Sequence, residues 1–205
     1  MRKIVVLGAA QSGKSSLVRR YANNQFQSNE QPTLGLNVVM PPDSETQMWD
    51  ASGQPRYNTL AFTSISGADG ILLCYNVCNL GSFLEVRDFW LPKLHEQSNA
   101  PICLIGTHLD ASEERRQVTK EEVQALVAAF DIRHHGECSA KTAQGMQLLQ
   151  SFMQQLPVRT AHSVDEEHSP RPLIEPPPRG SSLWWCCCCC RKKRPIVEGE
   201  EIALE

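Results

Sequence analysis

Near-continuous apolar runs alternate with amphipathic stretches along this chain. KIVVLG (3–8), GILLCYNV (70–77) and PICLIGT (101–107) have the pattern of strands buried on both faces. Residues 15–24, 82–97, 119–130 and 145–156 place apolar side chains at helical spacing. This alternation predicts an α/β fold, a mostly parallel sheet covered by helices on both faces. Residues 34–49, interrupted by PPDS, read instead as a short antiparallel hairpin. Periodicity ends at Pro157. Seven of the 13 prolines fall in the final 49 residues, with mixed charge and few periodic apolar positions. One domain over 1–156 and a disordered Pro-rich tail over 157–205 are expected.

Composition narrows the classes. A net charge of −3 excludes a nucleic-acid binder held by bulk charge. No apolar stretch reaches the roughly 18 residues of a membrane span. The N-terminal run MRKIVVLGAAQSGKSS is broken by Gln11, Ser12 and Lys14, so it reads as a strand and not as a leader. Cys74, Cys78, Cys103 and Cys138 lie singly in or beside apolar segments, as core thiols do in a reducing compartment, and a cytoplasmic protein is expected.

GAAQSGKS (Gly8, Ala9, Ala10, Gln11, Ser12, Gly13, Lys14, Ser15), followed by Ser16, sits between a predicted strand and a predicted helix. That context marks a P-loop. Backbone N–H groups and the helix N-terminus face phosphate oxygens, Lys14 supplies a cation, and the Ser15 hydroxyl is a ligand for Mg²⁺. Asp50, closing the hairpin in MWDASGQ, is a candidate to hold Mg²⁺ through water. Gly53 allows a close backbone approach to a terminal phosphate.

With these motifs in this order, residues 3–156 resemble a small GTPase of the Ras superfamily, most similar to the Rab branch. The resemblance implies a P-loop NTPase small-GTPase fold: a six-stranded, mostly parallel sheet with one antiparallel hairpin strand. It implies GTP and GDP as ligands and Mg²⁺ held by Ser15, Thr33 and, through water, Asp50. Thr33 in QPTLG matches the threonine that senses the terminal phosphate, and Gln54 the residue that orients the attacking water. Phe26 matches the aromatic that packs on guanine. The region from Pro55 to Val77 parallels the Rab pattern without a gap. THLD (Thr107, His108, Asp110) stands where the family carries Asn-Lys-x-Asp, and Ser139, Ala140 and Lys141 match the loop that meets guanine O6. The carboxylate of Asp110 only accepts, which suits the paired N1–H and N2 donors of guanine and leaves adenine without a match.

Departures qualify the resemblance. Thr107 replaces an asparagine whose amide ties the base loop to the P-loop. His108 replaces a lysine whose stem covers the base, so weaker affinity is expected. Ala10 and Gln11 stand where Rab proteins usually have Ser and Gly, and Gln11 brings bulk to the phosphates. The leading expectation is a GTP/GDP switch in membrane or vesicle traffic, slow in hydrolysis and served by an exchange factor, an activating protein and effectors. Catalytic duty falls on Gln54, Lys14 and Thr33. The alternative is an interaction module that binds GTP and hardly cycles. A P-loop kinase or ATPase fails on Asp110 and Ser139-Ala140-Lys141.

The tail carries SSLWWCCCCCRKKRP, with Cys186, Cys187, Cys188, Cys189 and Cys190 between a tryptophan pair and four basic residues. Disulfides are disfavoured in a reducing cytosol, and no second Cys or His pair completes a zinc site. The usual prenyl signal is missing, because the chain continues past Cys190 to IALE. S-acylation beside a basic patch is the remaining reading, an anchor to the cytosolic face of a membrane.

Overall fold

A computed structural model describes residues 1–42 and 45–157. The Pro-rich segment from 158 onward, with the cysteine run, lies outside the described residues. The strands are β1 (Arg2–Gly8), β2 (Leu36–Val39), β3 (Thr46–Ala51), β4 (Gly70–Asn76), β5 (Ile102–Thr107) and β6 (His134–Glu137). The helices are α1 (Lys14–Asn23), α2 (Asn58–Ser64), α3 (Leu80–Glu85), α4 (Leu91–Gln97), α5 (Lys120–Ala129) and α6 (Gln147–Gln155). One six-stranded sheet runs in the order β2-β3-β1-β4-β5-β6. Only the β2–β3 pair is antiparallel.

Alternation within the central strands builds two cores. Val5, Leu7, Ile71, Leu73 and Leu104 point to one face, where Phe83, Trp90 and Leu94 of the α3–α4 run and Val123 and Leu126 of α5 cover them. Ile4, Val6, Leu72, Cys103 and Ile105 point to the other, against Leu17 and Val18 of α1 and Phe152 and Met153 of α6. Each fully buried aliphatic contributes on the order of 2 kcal/mol. β1, β4 and β5, covered on both sides, therefore read as unbroken apolar runs, and their C-terminal ends share one edge of the sheet. There the P-loop follows β1 and Thr107 ends β5, the customary ligand crevice of an open parallel sheet.

The stretch expected as one helix over 82–97 is helical over Leu80–Gln97, with a π turn at Val86–Trp90. Leu91 N–H bonds back to Val86 O across that turn. Pro92 follows at once and has no N–H to offer, so the wide turn absorbs the defect.

β6, His-His-Gly-Glu, carries no apolar pattern. Its backbone pairs with β5 from Cys103↔His134 to Gly106↔Glu137. Arg116 then fixes it in place. Nη1 and Nη2 donate to both carboxylate oxygens of Glu137, at 2.9 and 2.6 Å, with the two side chains only 14% and 18% exposed. Arg116→Ala should leave Glu137 half-buried without its cation and cost about 2 kcal/mol, read as an earlier midpoint in urea unfolding. Arg116→Lys should recover only part of this, since an ammonium does not make the two-pronged contact.

Candidate functional site

The P-loop wraps around Lys14. Its ammonium, nearly fully buried, donates to Gly8 O at 3.0 Å, Ala9 O at 2.6 Å and Ser12 Oγ at 3.2 Å. The loop turns through Gly13, at φ +77°, where α1 begins. Gln11 also lies in the left-handed region, at φ +59°, an uncommon conformation for a side chain with a β-carbon. It lines the cleft, as its bulk had suggested, while Ser12 is buried beneath.

Three oxygen donors from separate parts of the chain meet beside Lys14. Ser15 Oγ donates to Asp50 Oδ2 at 2.6 Å and lies 2.7 Å from Thr33 Oγ1, which is itself 3.4 Å from Asp50 Oδ2. Asp50 is 2% exposed, and its Oδ1 has no partner. Burial pushes its carboxyl above the ordinary range, although Ser15 and the Lys14 charge pull the other way. Burial likewise pushes the Lys14 ammonium below its ordinary value, with nearby negative charge as the partial offset. Each group lacks part of the counter-charge its burial demands. Oxygen donors around an orphaned buried carboxylate oxygen are the donor set Mg²⁺ takes, so these residues fit the expected ion.

Gly53 packs against the P-loop backbone. A β-carbon there would lie 2.5 Å from Ala10 N and Ala9 C, which only glycine avoids. Ser52 N–H donates to Gly35 O at 2.8 Å, tying the loop after β3 to the loop carrying Thr33. Gln54 lines the cleft, and its Oε1 accepts from Arg56 Nε at 2.8 Å. Together the P-loop, residues 28–33 and residues 52–54 enclose a cavity of about 310 Å³, with His108 at its wall.

The base-side residues form a second cluster. Asp110 Oδ1 accepts from Ser139 Oγ at 2.7 Å, and Lys141 Nζ lies 3.9 Å from Asp110 Oδ2. Ser139 Oγ also accepts from Thr142 N–H, which shapes the loop through Ala140. Thr107 does not lose the tie to the P-loop. Its Oγ1 lies 2.8 Å from Ser12 O, 2.9 Å from Tyr75 O and 2.9 Å from His108 Nδ1. One hydroxyl has one proton, so the consistent arrangement has His108 Nδ1–H donating to Thr107 while Thr107 donates onward to a carbonyl. His108, at φ +65°, faces Gly13, and burial of its ring lowers the imidazole pKa. Asp110, Ser139, Ala140, Lys141 and half-buried Phe26 are not part of the cavity lining.

Sequence reading missed two contributors. Arg20 Nε donates to Ala140 O at 2.6 Å and Nη2 to Lys141 O at 3.1 Å, so α1 holds the base-side loop. A contact across 120 residues leaves no local signal. Glu30, three residues before Thr33, folds onto α1 through Ser16 and Arg19, and an acidic residue in a polar loop gave no warning of it.

A model of the Ras family matches residues 3–157. The chain is 34% identical over 148 residues to the Ras-related protein Rab-1 of Theileria parva, taking in 68% of this chain and 66% of that protein, just under two thirds. It is 34% identical over 167 residues to the GTP-binding protein ypt5 of Schizosaccharomyces pombe, covering 77% of this chain and 78% of its relative. The Rho-related protein racE of Dictyostelium discoideum is 30% identical over 160 residues, with 71% and 72% covered. A lysine-bearing loop, a threonine and an aspartate drawn to one point are thus carried on a chain that belongs to the Ras family of small GTPases.

Proposed function

We propose that the protein is a guanine-nucleotide switch that binds GTP and GDP with Mg²⁺ and hydrolyses GTP slowly. The observation that carries this reading is the meeting of Ser15, Thr33 and Asp50 beside buried Lys14, a site short of both an anion and a cation. Phosphate supplies the first and Mg²⁺ the second. Ser15, Thr33 and Asp50 would hold the ion, which would screen the charge of the phosphates.

The protein's own groups divide the remaining work. Lys14 and the N–H groups opening α1 bind the phosphate chain. Thr33 and Gly53 lie on loops that a terminal phosphate would draw in and its loss would release, and the Ser52–Gly35 hydrogen bond links those loops. Gln54 aligns the attacking water. In the present arrangement its oxygen is engaged by Arg56, so that contact must break before the oxygen can accept from water. Asp110, held by Ser139, accepts from guanine, and Ala140 presents its backbone to the base. An activating protein supplying an arginine in trans is consistent with slow turnover, as are exchange factors and effectors. A role in membrane or vesicle traffic rests on the likeness to Rab proteins. Among the described residues no helix is long and apolar enough to cross a membrane. The anchor is assigned to acylation of Cys186–Cys190, on the sequence alone. The non-cycling alternative draws on one observation, the bulk of Gln11 at the cleft.

Titration of nucleotide-free protein should give tighter binding of GTP than of ATP. Asp110→Ala should reduce that preference by about 10²-fold, because two hydrogen bonds to a charged acceptor are lost. Lys14→Ala should weaken both nucleotides, and equal affinity of the native protein for GTP and ATP would overturn the reading. In single-turnover hydrolysis with Mg²⁺, Gln54→Leu should slow the step about tenfold or more while leaving GTP affinity near native; unchanged turnover would favour the non-cycling module or a different water-positioning residue. Membrane-fraction protein from cells should be released by hydroxylamine, and replacing all five tail cysteines by serine should abolish the association.

A further inference from the structure

Among the described residues lining the 310 Å³ cavity, Glu30 is the acid. Its side chain is 16% exposed. Oε2 accepts from Ser16 Oγ at 2.6 Å, and Oε1 lies 2.8 Å from Arg19 Nη2. Ser16 and Arg19 are three apart on α1 and share a face, so the carboxylate lies along the first turns of that helix. The N–H groups of the first turn, Lys14 to Ser16, have no intrahelical partner, and the helix dipole is positive at this end. Both attract an anion. A cleft suited to phosphate thus has a carboxylate of its own docked beside the groups phosphate would use.

We propose that Glu30 is an internal electrostatic gate, a carboxylate that competes with the ligand's phosphates for the start of α1. It must leave Ser16 when a nucleotide enters. Arg19 neutralises it while docked, which keeps the closed arrangement favourable. The gate rests on the nucleotide reading above and extends it to regulation. Repulsion grows with the charge of the incoming ligand, so the gate opposes the triphosphate most and biases the protein toward the diphosphate. Any partner that draws the loop bearing Glu30 away from α1 would speed nucleotide entry without touching the base.

The charge dependence supplies the test. GMP, GDP and GTP are titrated into the nucleotide-free full chain at low ionic strength, native and Glu30→Gln, with folding of each checked by circular dichroism. The variant should bind GTP about tenfold more tightly, GDP by a smaller factor and GMP least. The gain should shrink in 0.3 M salt. Glu30→Ala should behave alike, because charge and not shape is removed. An equal gain for all three nucleotides, or none, would overturn the gate while leaving the nucleotide reading intact. Failure of every guanine nucleotide to bind the native protein and both variants would overturn the nucleotide reading and the gate with it.

Discussion

A carboxylate taken out of water needs partners, and Asp50 has only half of what it needs. One oxygen is held by Ser15 and approached by Thr33, while the other is buried with nothing to accept from. Such a group costs free energy unless the surroundings compensate. The local architecture follows from that requirement. β3 delivers Asp50 beside Val6 of β1, two residues short of the P-loop. The loop after α1 brings Thr33 back to the same point, and α1 starts there with Lys14 and Ser15. The sheet order places β1 and β3 side by side and parallel, so Asp50 reaches the P-loop although α1 and β2 lie between the two strands in the chain.

What was legible in the sequence is what short-range pattern encodes. β1, β4 and β5 are buried on both faces and announce themselves as apolar runs. The P-loop is contiguous, and Asp50 stands near the end of β3, where the sequence placed it beside that loop. β6 was not legible by pattern, because its half-buried residues are polar and its place is fixed by β5 and Arg116. The short helix α2 also lacks a period, since it buries only Ala61 and Ser64.

Thr107 shows how a substitution misleads when read alone. An amide missing from that position suggested a loosened base loop. The shorter hydroxyl nonetheless reaches Ser12 O, because β5 ends with Thr107 buried against the P-loop and adjacent to Tyr75 O. His108 completes the arrangement by donating from its ring, which an aliphatic lysine stem does not do. The two departures from the family pattern therefore act as a pair, and neither is understood without the other.

Arg20 gives α1 a mechanical property. The helix begins at Lys14, buried within the P-loop, and from its last turn Arg20 grips the carbonyls of Ala140 and Lys141. It is a lever with a load at both ends. Displacement of one end cannot be absorbed locally, because a helix is stiff along its axis, so it reappears at the other. If the P-loop and the Ala140 loop take the two ends of one ligand, thermodynamic reciprocity requires that a fragment bound at one ease docking at the other as much as the reverse. Cutting the lever at Arg20 would leave the two loops tied through Thr107 and Ser12 rather than through α1.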